Sequence, residues 1–296
     1  MKKLSVYLML LLGVAVFSSC EDAAERESSP EANPNSHKVY FPEQTSAIAV
    51  KVEQDTISIP IARVVTNGAL TVSLKIVGDK AFSIPASVAF ADGESETSFT
   101  LSVGEIELFK NYLVTLEFDK SQVDNPYVTS DKTPMLSLNI VREDYVSKGY
   151  GQWTDGIVSR LFTIDVLTYD VEVEYSEILN AYRISNPYAS STFRYTEKED
   201  EVRKLTKLVF HVNDPDDVLL TGSAKVGAGY GIGIDYGYGE FFIGFPADKE
   251  EGSGGGNFSD GTIIFPGEKS LQLGMMIESD GKLSWWCDDI VLALPK

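Results

Sequence analysis

The chain has 296 residues, 43% of them hydrophobic, with 15 Phe, 14 Tyr and 3 Trp. That content is enough to bury a sizeable core and excludes a wholly disordered chain, and the length predicts roughly two domains. Lys and Arg number 25 against 44 Asp and Glu, a net charge of −19, which excludes broad contact with phosphate backbones, so nucleic acid is not a predicted partner.

The N-terminus reads as an export address. Lys2 and Lys3 precede an apolar run from Leu4 to Phe17, shorter than the roughly 20 residues a membrane-spanning helix needs. Residues 1–19 are therefore predicted to be a secretory signal. Ser18 and Ser19 before Cys20 resemble a bacterial lipobox, and the resemblance implies cleavage ahead of Cys20 and a lipid on it, so the membrane is a partner. Residues 20–38, rich in Glu, Ser, Pro and Asn, read as an acidic disordered tether. Glu21-Asp22 resembles the acidic flag with which Bacteroidota lipoproteins reach the outer face of the outer membrane; the resemblance implies that the chain faces the cell exterior. Cleavage leaves Cys287 as the one thiol not lipidated, so no disulfide forms within the mature chain and packing must hold it together.

Residues 39–142 carry a period of two, the mark of strands with one buried face. Ile57, Ile59 and Ile61 open the pattern. Leu70 to Ile76, Val88 with Phe90, Thr97 to Val103, Tyr112 to Phe118 and Leu136 to Ile140 continue it. Asn67-Gly68, Asp92-Gly93 and Asp124-Asn125-Pro126 supply turns. About seven short strands in roughly 100 residues predict an immunoglobulin-like sandwich. VYFPE at Val39 to Glu43, ISIPIAR at Ile57 to Arg63 and VAFADGESETSF at Val88 to Phe99 resemble a Calx-beta-type sandwich of Bacteroidota surface lipoproteins. Calcium-binding members place clustered acids before the last long hairpin; here Gly104-Glu105-Ile106-Glu107 stands there, so calcium is not expected in this domain.

The polar stretch Arg142 to Lys148 predicts a boundary, and residues 149–296 form the second domain. Val171, Val173 and Tyr175, then Leu208, Phe210 and Val212, alternate with polar residues. Two glycine runs, Gly227 to Gly239 and Gly252 to Gly256, mark bulges, corners or loops. The predicted class is all-β: the Ig-like, Calx-beta-like sandwich followed by a Gly-rich antiparallel β-sandwich or barrel. YRISNPY at Tyr182 to Tyr188 and HVNDPDDV at His211 to Val218 are similar to the C-terminal domain of the same lipoproteins, which imports no chemistry. Glu197 to Lys207 reads as a short exposed helix or a charged hairpin tip.

Chemistry-bearing motifs are sparse. No G-x-S-x-G, H-E-x-x-H or P-loop occurs, and of two histidines His37 lies in the tether while His211 is predicted to be a surface residue. Zinc lacks a ligand set. A glycosidase needs two carboxylates flanking a cleft, for which Asp155, Asp235, Glu240 and Asp288 are candidates. Asp214, Asp216 and Asp217 around Pro215 are candidate calcium ligands, or simply a turn.

The aromatics are more suggestive. A strand through Leu283 to Asp288 places Leu283, Trp285 and Cys287 on one face and Ser284, Trp286 and Asp288 on the other. Trp286 beside Asp288 makes a stacking surface with a hydroxyl acceptor, suited to a sugar ring, extended by Tyr230, Tyr236 and Tyr238. The alternative buries both indoles between sheets, and Trp153 is expected to anchor the first turn of the domain. The resulting expectation is a noncatalytic, lipid-anchored surface protein that binds polysaccharide, with Trp286, Asp288, Tyr236 and Tyr238 as ligand-binding residues. An adhesion or assembly module with a surface-protein partner is the alternative, and a glycoside hydrolase the third.

Overall fold

A computed structural model of the chain describes residues 38–43, 45–119, 133–159, 165–188, 202–203, 205–223, 225–235, 239–246, 254–276 and 282–296. The expected signal, the tether with Cys20, most of Glu197 to Lys207, and Tyr236 and Tyr238 lie outside these residues. All named elements are β-strands, so the all-β expectation holds.

Four sheets account for them. A four-stranded sheet runs in the order Val39–Tyr40, Thr56–Arg63, Glu96–Val103, Phe82–Ser83, and a five-stranded one in the order Thr45–Lys51, Met135–Glu143, Tyr112–Phe118, Leu70–Val77, Ser87–Phe90. An eight-stranded sheet runs Leu219–Gly222, Lys207–His211, Ala181–Ser185, Leu167–Ser176, Val146–Asp155, Ile290–Ala293, Thr262–Phe265, Asn257–Ser259. The last sheet is ordered Val202–Arg203, Gly229–Asp235, Glu240–Gly244, Gln272–Met276, Lys282–Trp286, with Lys225–Val226 also paired to Gly229–Asp235. By compactness the chain divides into residues 1–46, 57–102 and 114–138 as one unit, and residues 47–56, 103–113 and 139–296 as the other. The stretch Arg142 to Lys148, where the sequence predicts a junction, belongs to the second unit.

In the first unit the alternation is realised side chain by side chain. Ile57, Ile59 and Ile61 are buried, as are Phe99 and Leu101, while the residues between them face solvent. Phe41 stacks on Phe118 with ring centroids 4.3 Å apart, and both rings are buried. The turn glycines behave as their sequence requires: Gly68 and Gly93 each have φ of 81°, a region a Cβ disfavours. One cation lies in this interior. Arg63, 2% exposed, donates from Nε to the Glu94 carbonyl at 2.7 Å, from Nη1 to Gly68 at 2.9 Å, and from Nη2 to Thr66 at 3.0 Å and Ala91 at 2.7 Å. Its guanidinium carbon sits 5.1 Å from the centre of the Phe90 ring. Arg63 thus ties both turns to its own strand.

In the second unit the eight- and six-stranded sheets share one core, which confirms a sandwich there. Trp153, Val173, Ile184, Phe210 and Phe265 come from the larger sheet and Ile232, Ile234, Ile243 and Leu273 from the smaller. Trp153 is fully buried, 5.9 Å from the Phe210 ring centre, so it is a core residue. The glycine run serves close approach: a Cβ on Gly229 would fall 1.9 Å from the Ile243 carbonyl oxygen. No side chain fits between those strands.

Candidate functional site

Strand Lys282–Trp286 stands at the end of its sheet, paired with Gln272–Met276. Gln272 is opposite Trp286 and Leu273 opposite Trp285, but Gly274 is opposite Leu283, which leaves Ser284 as an extra residue. Such a bulge breaks strict alternation and re-aims side chains. Trp285 is 41% exposed whereas Trp286 is half-buried. The expected order of exposure, Trp286 outward and Trp285 inward, is therefore corrected. Trp285 still stands opposite the buried Leu273, so the one-sided pairing of a terminal strand, which leaves its indole uncovered at the sheet margin, is the physical cause. Cys287 is buried as expected, and burial raises its thiol pKa. Asp288 is half-buried, and its amide donates to the Gly156 carbonyl at 2.7 Å. Tyr230 is half-buried beneath the Lys225 ammonium, 5.2 Å from the ring centre.

The candidate calcium ligands Asp214, Asp216 and Asp217 lie on a turn. Asp214 Oδ1 accepts the Asp216 amide at 3.0 Å, and Asp217 Oδ1 accepts the amides of Gly254 and Gly255 at 3.0 and 2.6 Å. Among the described residues no group of three or more His, Cys, Asp and Glu side chains is placed to hold a metal ion. The turn, one of the two readings of this segment, is what the structure shows, with the Asp214 and Asp217 carboxylates capping backbone amides.

The candidate acid Asp155 is also displaced from any cleft. It is fully buried; Oδ1 accepts the Tyr188 hydroxyl at 2.9 Å and the amides of Ile157 and Val158 at 3.2 and 3.4 Å. Oδ2 has no hydrogen-bond partner among the described residues. Burial, opposed by those hydrogen bonds, pushes its pKa up to about 6. Asp235 faces Glu240 across a strand pair, and both are half-buried.

The polar cluster that the sequence did not disclose lies on the other face of the eight-stranded sheet. Glu174, Arg183, Val209 and Thr221 stand in one row across four strands, opposite in orientation to the core residues Ile184, Leu208, Phe210 and Leu220. Arg183 is 6% exposed; its Nε donates to Glu174 at 2.7 Å and its Nη1 to Glu143 at 2.5 Å. Lys207 Nζ reaches the same Glu143 oxygen at 3.4 Å. The guanidinium lies 3.7 Å from the centre of the Tyr145 ring, and Phe109 meets that ring edge-on at 6.0 Å. Burial opposes the Arg183 charge, but its hydrogen bonds with Glu174 and Glu143 outweigh that, and its pKa is raised. Burial pushes the Tyr145 phenol up to about 12. His211, expected at the surface, is half-buried: a ring nitrogen lies 3.0 Å from the Thr221 hydroxyl, and burial lowers its pKa. A sequence signal existed, since Arg183 sits between Tyr182 and Ile184, two residues that turn to the core. Its partners Glu143 and Tyr145, however, lie in the stretch that reads only as a polar junction.

Arg183, Val209 and Thr221 of this row line one wall of a groove of about 700 Å³. Every residue lining it, including Ile48, Phe109, Asn111, Asn139, Val209 and His211, belongs to the second compact unit.

No family model and no curated protein matches the chain. Solved structures from Bacteroides are similar over most of its length. A protein of unknown function from Bacteroides ovatus shares 10% identity, with 87% of this chain and 90% of that chain covered and a TM-score of 0.32. A multidomain protein including DUF1735, also from Bacteroides ovatus, shares 9% identity over 86% and 92% of the two chains, with a TM-score of 0.26. A two-domain protein of unknown function from Bacteroides fragilis shares 7% over 88% and 89%, with a TM-score of 0.29.

Proposed function

We propose that this chain is a noncatalytic, lipid-anchored surface protein of the outer membrane that binds glycan through its C-terminal half. The observation that carries the reading is the Trp285–Trp286 pair on a terminal strand, one indole 41% exposed and the next half-buried. An indole offers a flat apolar face to the C–H side of a sugar ring, and the half-buried Asp288 lies two residues on from Trp286. The reading needs no metal. The lipid on Cys20 and the tether after it would set the protein's reach above the membrane.

The adhesion alternative has one feature in its favour: the same terminal strand presents a sheet edge that another chain's strand can extend. A hydrolase reading loses Asp155, which is enclosed.

In affinity electrophoresis through laminarin, xylan or mannan, Trp285→Ala and Trp286→Ala are expected to weaken retardation at least tenfold, with thermal stability held for Trp285→Ala. Unchanged retardation in both variants removes the platform. Capture of a discrete surface protein by a chain that no glycan retards favours adhesion.

A further inference from the structure

The groove on the outer face of the eight-stranded sheet is separate from the tryptophan platform, and its chemistry can be read on its own. Among the described residues its lining carries two cations, Arg183 and Lys207, and one carboxylate, Glu143. Glu174 adds the second carboxylate from behind, bonded to Arg183. The four charges cancel, in a chain whose net charge is −19. An anionic ligand would add a charge with no counter-charge to meet it, in a place where Arg183 is already shared between two carboxylates; a cationic one would have to draw Glu143 away from two partners. The groove therefore selects an uncharged ligand.

Its walls interleave hydrogen-bonding and apolar side chains. Val209 alternates with Lys207 and His211 along one strand, and Asn139 alternates with Val141 along another. Asn111 and Asn139 are exposed, and their amides make no hydrogen bond among the described residues. Each offers two donors and an acceptor at the rim. At one end Phe109 is held at φ 59°, a left-handed conformation that is uncommon for a bulky residue and that gathers at binding sites. Apolar patches beside paired donors and acceptors, without net charge, match a ring with C–H faces and hydroxyl edges.

We infer that this groove is a binding site for an uncharged saccharide, with Asn111 and Asn139 as its hydroxyl-binding residues. The ligand class rests on the glycan reading above; the location does not. The volume lies within the range of about 300–1,000 Å³ usual for small-molecule sites.

The test uses the mature chain with laminarin and mannan as neutral probes and polygalacturonate as the acidic one. The double variant Asn111→Ala/Asn139→Ala, altered at exposed positions only, is expected to bind the neutral probe at least tenfold more weakly. A second readout needs no variant. The chain has two histidines, so the imidazole signals in an NMR spectrum are few, and laminarin oligosaccharide should shift those of His211 while leaving those of His37 in place. Neutral-probe binding that is lost in Trp285→Ala but intact in the Asn variant, with His211 unmoved, overturns the groove and leaves the platform. Binding of polygalacturonate alone overturns the uncharged class. Retardation by neither neutral probe overturns the glycan reading and the groove together.

Discussion

Replacing Arg63 by Ala should lower the stability of the first unit by about 3–4 kcal/mol, because it leaves buried acceptors without a donor. The guanidinium serves four carbonyls, those of Glu94, Gly68, Thr66 and Ala91, and hydrogen bonds to a charged donor contribute roughly 1.5–3 kcal/mol each. The sum is not additive, since some of these carbonyls reach water once the side chain is gone. Phe90 also loses the cation over its ring. Arg63→Lys is the sharper variant. An ammonium keeps the charge but has three donors on one atom and cannot span carbonyls arranged around a planar fork. Urea denaturation of both variants measures the effect. A Lys variant within about 1 kcal/mol of the parent would show that charge, and not the fork, holds the two turns.

The second large effect concerns pH. Asp155 has its pKa raised from 3.8 to about 6, first by burial, with the Tyr188, Ile157 and Val158 hydrogen bonds acting in the other direction. A carboxyl that keeps its proton more readily folded than unfolded stabilises the fold while it is protonated. That contribution is complete below about pH 4 and is lost as pH rises through about 6, in all about 3 kcal/mol. The structural reason is Oδ2, buried without a partner among the described residues: protonated the carboxyl is neutral, and ionised it is a buried charge with no cation beside it among those residues. Asp155→Asn keeps the shape and the acceptor at Oδ1 but cannot ionise. Its stability relative to the parent should therefore rise by about 3 kcal/mol between pH 4 and pH 8. The difference cancels the other 43 acidic groups, which titrate alike in both chains. A difference that stays flat over that range would show that Asp155 titrates near its ordinary value. Tyr188, raised well above the ordinary phenol pKa by burial and then by Asp155, remains the donor throughout.

These two residues show how far the sequence could be read. ISIPIAR announces a strand with Ile57, Ile59 and Ile61 inward, and they are inward. It does not announce that Arg63, next in the same alternation, is inward too, because a buried guanidinium depends on four carbonyls brought to it by turns up to 31 residues away. Asp155 reads as a candidate acid in an opening turn and is instead sealed beside Tyr188, 33 positions on. Asp214, Asp216 and Asp217 read as a turn, with calcium ligation as the other reading. Two glycine amides brought to Asp217 from 37 and 38 positions away fill one of its oxygens.

The sequence by itself determined the all-β class, the inward face of each regular strand and the turns at Gly68 and Gly93, because period and φ preference are local and need no partner. The tertiary structure alone decided which tryptophan opens to solvent, through the place of its strand at the end of a sheet, and which charges meet, Arg183 with Glu143 and Glu174. Both depend on pairing and register between distant strands. A shift of one residue there turns every side chain to the opposite face, and no local pattern in the chain records it.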